Sequence, residues 1–342
     1  MLKHTSCLLC CLPAIAFAQS AGDSVSDSRH IDEVVVTGQF APTSVRNSVY
    51  KVRSITQDQI RRRRTSDITT LLNTELGVRF NNDLVLGESD IQLMGMSGQN
   101  VKVLMDGVPL LDRGATKQSL SQIDVNSIER IEIVEGPVSV IYGTDALAGV
   151  INIITKNAGS DEKRLNLQAG ILEETVGEEY SPFHKEGKHN AHLYASYQQN
   201  GWQASLSGSR NNYGGWQGNK TGRELAWQPK DQWLGAAKVG YRNQQVETWY
   251  RVDYANEDIY TPGPYTLNNK YVDKHYLTDR WTHMLQSNWK ASDSWSFNGA
   301  LSYQDYQRQT QTTMTDLADN STIATDGQGE QDIVRFDDLF FR

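Results

Sequence analysis

The run Leu165-Asn166-Leu167-Gln168-Ala169-Gly170-Ile171 decides how this chain is read. Its apolar and polar side chains alternate, so an extended strand sends Leu165, Leu167, Ala169 and Ile171 to one face and Asn166, Gln168 and Gly170 to the other. The pattern returns in Trp202-Gln203-Ala204-Ser205-Leu206-Ser207-Gly208-Ser209. A strand with one greasy and one wet face suits a transmembrane barrel, whose outside meets lipid and whose inside is polar. Working outward, we expect strands near 163–171, 189–199, 202–212, 232–242, 245–255, 279–290, 294–308 and 331–341. Each is close to the ~9–11 residues that a tilted membrane strand needs.

Connection lengths give the direction of the strands. Those at Asn200-Gly201, Asn243-Gln244 and Ala291-Ser292-Asp293 are tight, whereas 172–188, 213–231, 256–278 and 309–330 are long and rich in Gly, Pro, Asn and acid. Short periplasmic turns and longer outer loops are the rule for such barrels, so the first strand should run outward. Tyr197, Trp202, Tyr241, Trp289 and Trp295 fall beside the tight turns, and Trp233, Tyr254, Trp281 and Tyr303 beside the long loops. Two aromatic girdles are what the two membrane interfaces select. In the fifth strand Val246, Thr248, Tyr250, Val252 and Tyr254 share one face, and Glu247, Trp249, Arg251 and Asp253 the other. A one-residue slip would put Arg251 in lipid at a cost of roughly 2–4 kcal/mol, so the charged face points inward. The last strand alternates poorly, because Asp338 falls on the face of Val334, Phe336 and Phe340.

The mean hydropathy of -0.55 is that of a soluble protein, and no run approaches the ~18 apolar residues of a membrane helix. Barrels hide in such averages. Residues 1–18 have the form of a secretory signal: Lys3 and His4 at the start, an apolar core from Cys7 to Phe17, and Ala16-Phe17-Ala18 for cleavage. Cys7, Cys10 and Cys11 are the 3 cysteines of the chain and leave with that segment. The formal net charge of -8 excludes a nucleic-acid partner, and the one basic cluster, Arg61-Arg62-Arg63-Arg64, reads as a solvated helix end.

The chain changes character near Lys163. From 49 to 155 it is globular and mixed, and we take 46–160 as one domain. Ser66 can cap a helix carrying Ile68, Leu71, Leu72 and Glu75 on one side, with Gly77 ending it. Asp106-Gly107, between Val101-Lys102-Val103-Leu104-Met105 and Val108-Pro109-Leu110, is a turn signal. Further strands are expected at 131–134 and 150–155, with a helical turn at 138–142.

Three blocks carry a family resemblance. They are Val101-Lys102-Val103-Leu104-Met105-Asp106-Gly107-Val108-Pro109; Ser127-Ile128-Glu129-Arg130-Ile131-Glu132-Ile133-Val134-Glu135-Gly136-Pro137; and Val140-Ile141-Tyr142-Gly143-Thr144-Asp145-Ala146-Leu147-Ala148-Gly149-Val150-Ile151-Asn152-Ile153-Ile154-Thr155-Lys156. Together they resemble the plug of the TonB-dependent outer-membrane receptors, with Met94 standing where many members carry Arg. Ahead of them Ile31-Asp32-Glu33-Val34-Val35-Val36-Thr37-Gly38 is a β-prone run within the leader at 19–45, suited to pair with a partner's sheet edge. It resembles the TonB box of that family.

The resemblance implies a mixed α+β plug followed by an antiparallel transmembrane β-barrel over 161–342. It also implies a Gram-negative outer membrane with its lipopolysaccharide, and TonB working with ExbB and ExbD through Asp32, Glu33, Val34, Val35, Val36 and Thr37. The implied cargo is a ferric siderophore or other iron chelate, haem or cobalamin, with no covalently bound cofactor. By the same resemblance apical plug loops lie near 81–89 and 110–119, making Asn81, Asn82, Asp83, Asp112 and Arg113 the candidate solute contacts. About eight strands leave a barrel interior filled by side chains, whereas about 22 hold a plugged lumen, so we expect these strands to be part of an incomplete wall. A passive pore or surface adhesin is the alternative, and it leaves the plug and the Val34-Val35-Val36 run without purpose. For hydrolysis, His184, His189, His192, His275 and His283 lack any G-x-S-x-G or H-E-x-x-H spacing. We therefore expect no catalytic and no metal site.

Overall fold

The computed structural model describes residues 34–35, 43–44, 50–65, 67–83, 88–110, 118–138, 145–157, 164–292 and 294–342. The secretory segment expected at 1–18 and most of the turn expected at 138–142 lie outside them. Strands β1 (Val34–Val35) and β2 (Thr43–Ser44) pair antiparallel in a ladder of their own.

The plug opens with β3 (Lys51–Thr56), which runs directly into α1 (Gln57–Arg63). Thr56 starts this helix with a capping box: its hydroxyl accepts from the Gln59 amide, and its own N–H donates to the Gln59 side chain at 2.9 Å. Arg61, Arg62 and Arg63 occupy the last turn, exposed, where positive charge meets the negative end of the helix dipole. α2 (Ile68–Leu72) is capped by Asp67 and not by Ser66 as expected. The Asp67 carboxylate accepts from Thr69 N at 2.9 Å and from Thr69 Oγ1 at 2.6 Å, a pair of bonds that a carboxylate provides with its two oxygens. Glu75, expected on the helix, lies beyond it and pairs with Arg63 at 2.7 Å and Arg53 at 3.4 Å.

After α2, β4 (Val78–Asp83) and β5 (Glu88–Leu93) form a hairpin of their own. Next come β6 (Val101–Met105), β7 (Val108–Pro109), α3 (Gln118–Ser121), β8 (Ile128–Glu135) and β9 (Gly149–Thr155). The plug sheet has the order β3-β8-β9-β6-β7, with β6 and β9 parallel and the other neighbours antiparallel. Ile55, Ile68, Leu71, Leu72, Ile91, Leu93, Ile128, Ile131, Ile133 and Ile151 are fully buried and make its core.

The wall follows as β10 (Arg164–Glu174), β11 (Lys188–Gln199), β12 (Trp202–Tyr213), β13 (Lys230–Arg242), β14 (Val246–Thr261), β15 (Lys270–Lys290), β16 (Ser296–Asp316), β17 (Thr322–Ala324) and β18 (Ile333–Phe341). They form one 9-stranded antiparallel sheet in chain order, except that β17 and β18 both pair with β16. All eight expected strands are present. The long connections at 256–278 and 309–330 are shorter than expected, because β15 and β16 run for 21 residues each and β17 adds a strand. Among the described residues β10 and β18 do not pair, so the sheet stays open.

The faces sort as alternation requires. Leu165, Leu167, Ile171, Leu193, Leu206, Val239, Leu285 and Leu301 are exposed on one side, with Trp202, Trp289 and Trp295 at its lower rim and Trp233, Trp281 and Tyr303 at its upper rim. Ring pairs tie each rim: Trp202 to Tyr241 at 5.2 Å below, and Tyr254 to Trp281 at 4.5 Å above. On the other side Trp249, Arg251, Met284 and Ala300 are buried against the plug, as the fifth-strand register demanded. The irregular β18 has a partial explanation. Arg335 reaches Asp305 at 3.0 Å, and Asp338 pairs with Gln304 on the plug-facing side, where polar groups belong, while on that same side Phe340 packs on the plug core and Phe336 stacks on Tyr306.

Candidate functional site: the seam between plug and wall

The plug's tightest turn sets one end of the seam. Asp106 and Gly107 both have positive φ, 49° and 81°, as a two-residue hairpin turn requires. The Asp106 carboxylate accepts from Thr155 N at 2.9 Å and Thr155 Oγ1 at 2.6 Å, while Gly107 N donates to Asn152 Oδ1 at 3.0 Å. The hairpin is thereby bolted to β9, where the chain leaves the plug for the wall. Asp106→Ala is expected to destabilise the plug by about 1–3 kcal/mol, the cost of buried groups left without a partner. Calorimetry of the detergent-purified, complete gene product reads this as a lowered plug transition, and an unchanged transition would refute the tie.

The wall answers with polar side chains on its inward face. Lys238 on β13 donates from Nζ to Thr155 Oγ1 at 3.2 Å and to Asn157 Oδ1 at 2.6 Å. Arg251 on β14 donates to Ser127 Oγ at 3.3 Å and is itself held by Asp253 at 2.8 Å. Gln232 donates to Ser121 O at 2.9 Å and to Glu257 at 2.7 Å, and Gln122 of the plug reaches the same Glu257 carboxylate at 3.2 Å. On β16, Gln304 donates to Pro109 O at 2.8 Å. Lys156 donates to Gln168 on β10 at 3.2 Å with its ammonium 4.6 Å from the Tyr194 ring centre, and burial pulls its pKa below the ordinary lysine range. One apolar patch interrupts this, where Trp249, Met284, Ala300 and Phe340 join the plug core.

This composition bears on what the seam can do. A hydrogen bond across it contributes only about 0.5–1.5 kcal/mol net, because water replaces either partner once the two surfaces part. The seam therefore positions the plug sharply, yet large parts of it can open stepwise without baring much apolar surface. Of these inward residues the sequence singled out Gln168, Trp249, Arg251 and Asp253, and it left Gln232, Lys238, Glu257 and Gln304 unnamed. Parity alone names these, since Glu257 lies an even number of residues from Arg251, and Gln232, Lys238 and Gln304 each lie an odd number from a girdle ring on the same strand, Trp233, Tyr241 or Tyr303.

The sequence-based candidates are placed less fully. Val34 and Val35 form β1, whereas Asp32, Glu33, Val36 and Thr37 lie outside the described residues. Asn81, Asn82 and Asp83 close β4 opposite Asp90, Ser89 and Glu88, on one hairpin. Asp112 and Arg113 lie outside the described residues. No group of three or more His, Cys, Asp or Glu side chains suited to a metal ion occurs among the described residues.

The family model of the TonB-dependent Receptor Plug Domain matches residues 44–150, a span that takes in β3 to β8 and the first residues of β9. Residues 44–150 are thus similar to the plug domain of TonB-dependent receptors. It is 30% identical over 174 residues to the ferrienterobactin receptor of Escherichia coli (strain K12), which covers 46% of this chain and 23% of that one. To the ferric enterobactin receptor of Pseudomonas aeruginosa it is 24% identical over 301 residues, 75% of this chain and 38% of that one. The siderophore receptor PirA from Acinetobacter baumannii shares the fold with a TM-score of 0.53 at 15% identity, over 79% of this chain and 48% of that one. The chain spans less than half the length of these relatives.

Proposed function

We propose that the chain is the plug and the first wall strands of an energy-driven importer for a ferric siderophore in the outer membrane of a Gram-negative bacterium. The observation that carries this reading is a folded plug seated on the wet face of a strand wall through a polar seam. A passive pore has no use for a plug, and the relatives named above are receptors for iron chelates. Transport then needs no bond-making chemistry. TonB, supported by ExbB and ExbD, would pair with Asp32, Glu33, Val34, Val35, Val36 and Thr37 and pull, and the plug would give way along its hydrogen bonds. We assign first capture to Asn81, Asn82, Asp83, Asp112 and Arg113 together with the outer loops, and the domain limits 19–45, 46–160 and 161–342 belong to the same proposal.

The cargo is tested by deleting the gene and supplying iron as ferric enterobactin, other siderophores or haem, and separately a corrinoid. We expect growth to fail on ferric siderophore alone. Failure on haem or corrinoid alone would reassign the cargo, and unimpaired growth with unchanged solute uptake on every source would overturn the importer reading in favour of a pore or adhesin.

A further inference from the structure

Lys238 differs from the other seam residues in where its partners lie. Its stem rises from β13, and its ammonium sits 4.2 Å from the centre of the Trp249 ring on β14, so its packing belongs to the wall. Its acceptors belong to the plug: Thr155 Oγ1 at 3.2 Å, Asn157 Oδ1 at 2.6 Å and the Asp106 carboxylate at 3.9 Å. Arg251, Glu247 and Asp253 of β14 complete its charged surroundings. A buried ammonium is tolerated only with such partners, and removing one side strands the other. The same corner is tied again by Lys156, whose N–H donates to Ser127 O at 2.9 Å and whose side chain reaches Gln168 on β10. β3 lies at the opposite edge of the plug sheet. It pairs only with β8 and is the sheet strand nearest in sequence to residues 32–37.

We propose that Lys238 is an anchoring post: it pins the Asp106–Thr155–Asn157 corner to the wall, and this corner stays in place while the rest of the plug yields during import. The inference rests on the importer reading given above. Its test uses the complete gene product in outer membranes, with entry of a large glycopeptide antibiotic as the probe of leak and radioiron-labelled ferric enterobactin as the probe of uptake. Lys238→Met is expected to raise leak without energisation about tenfold, the factor lost with one charge-assisted hydrogen bond, and Lys238→Arg to restore closure. Asn157→Ala, an exposed position, should move leak the same way by less and covers the case in which Lys238→Met fails to assemble. Asn157→Cys combined with Lys238→Cys, bridged by a short bis-methanethiosulfonate that forms a disulfide at each thiol with loss of methanesulfinate and is cleaved by a reductant, should regain closure and keep uptake. No added leak in either single variant, or uptake lost on bridging and recovered on cleavage, overturns the proposal. If the importer reading itself fails, the unmodified protein shows no energised uptake at all; if only the post fails, that uptake is intact and the leak and bridging arms alone report it.

Discussion

Removing residues 31–37 from the complete gene product is expected to reduce energised uptake to that of a strain lacking the gene, with solute binding and assembly unchanged. The reason is local. Val34–Val35 meets Thr43–Ser44 across only two residue pairs and joins no strand of the plug sheet. A two-stranded ladder of that size is marginal alone, so its loss costs the fold little. A β1 strand engaged on one edge still offers the other to a partner's sheet, the mode by which an extended segment gains main-chain hydrogen bonds. Uptake assays on intact cells, with binding measured at the surface in parallel, separate the two effects. Flux that survives the deletion would mean a pore and would end the case for a pulled plug.

The second large effect is expected at Gly149, which opens β9 with φ +146°. A Cβ added there would stand 2.0 Å from the Val134 carbonyl oxygen and 2.8 Å from Leu93 Cδ2, and the first of these is backbone that cannot swing aside. Gly149 pairs with Glu135 at the start of the β8–β9 ladder, next to where β6 joins, so displacement there opens the middle of the sheet. Gly149→Ala should therefore cost more than about 4 kcal/mol, in the range kept for strain at a special backbone position. Gly107→Ala is the control. Its added Cβ meets nothing nearer than 3.7 Å, and only the left-handed conformation, about 1–2 kcal/mol, opposes it. Protease sensitivity of the plug within the assembled protein measures both, and equal sensitivity in the two variants would refute the argument.

The wall was legible because its signal is local and periodic. Lipid and plug sort side chains at every second residue, so the alternation at Leu165–Ile171 and the tight turns located the lower ends of β10 to β16 within a few residues. What failed were the upper ends. There β15 and β16 pass beyond the apolar zone, and polar strands paired with polar strands carry no such contrast. In the plug, Asp67 displaced Ser66 as cap because two carboxylate oxygens satisfy both Thr69 groups, and neighbouring residues of equal capping rank cannot be told apart by spacing. The Thr56–Gln59 capping box of α1 is readable in the sequence just ahead of the arginine cluster. The seam was legible only in part. Parity puts Lys238 and Gln304 inside, but which plug atoms they meet depends on a parallel β6–β9 pairing between strands far apart in sequence.

The lengths of β15 and β16 have a further consequence. A strand of 21 residues extends to roughly 70 Å, or about 50 Å of height at a 45° tilt, against an apolar band about 25 Å tall. On the outer-membrane reading proposed above, the surplus would stand clear of the bilayer as a hydrogen-bonded mast with Leu267, fully exposed, at its tip. A molecule arriving from outside meets this stiff spar in place of a slack tether. Contacts made along it forfeit little chain freedom, which favours tight capture from dilute surroundings.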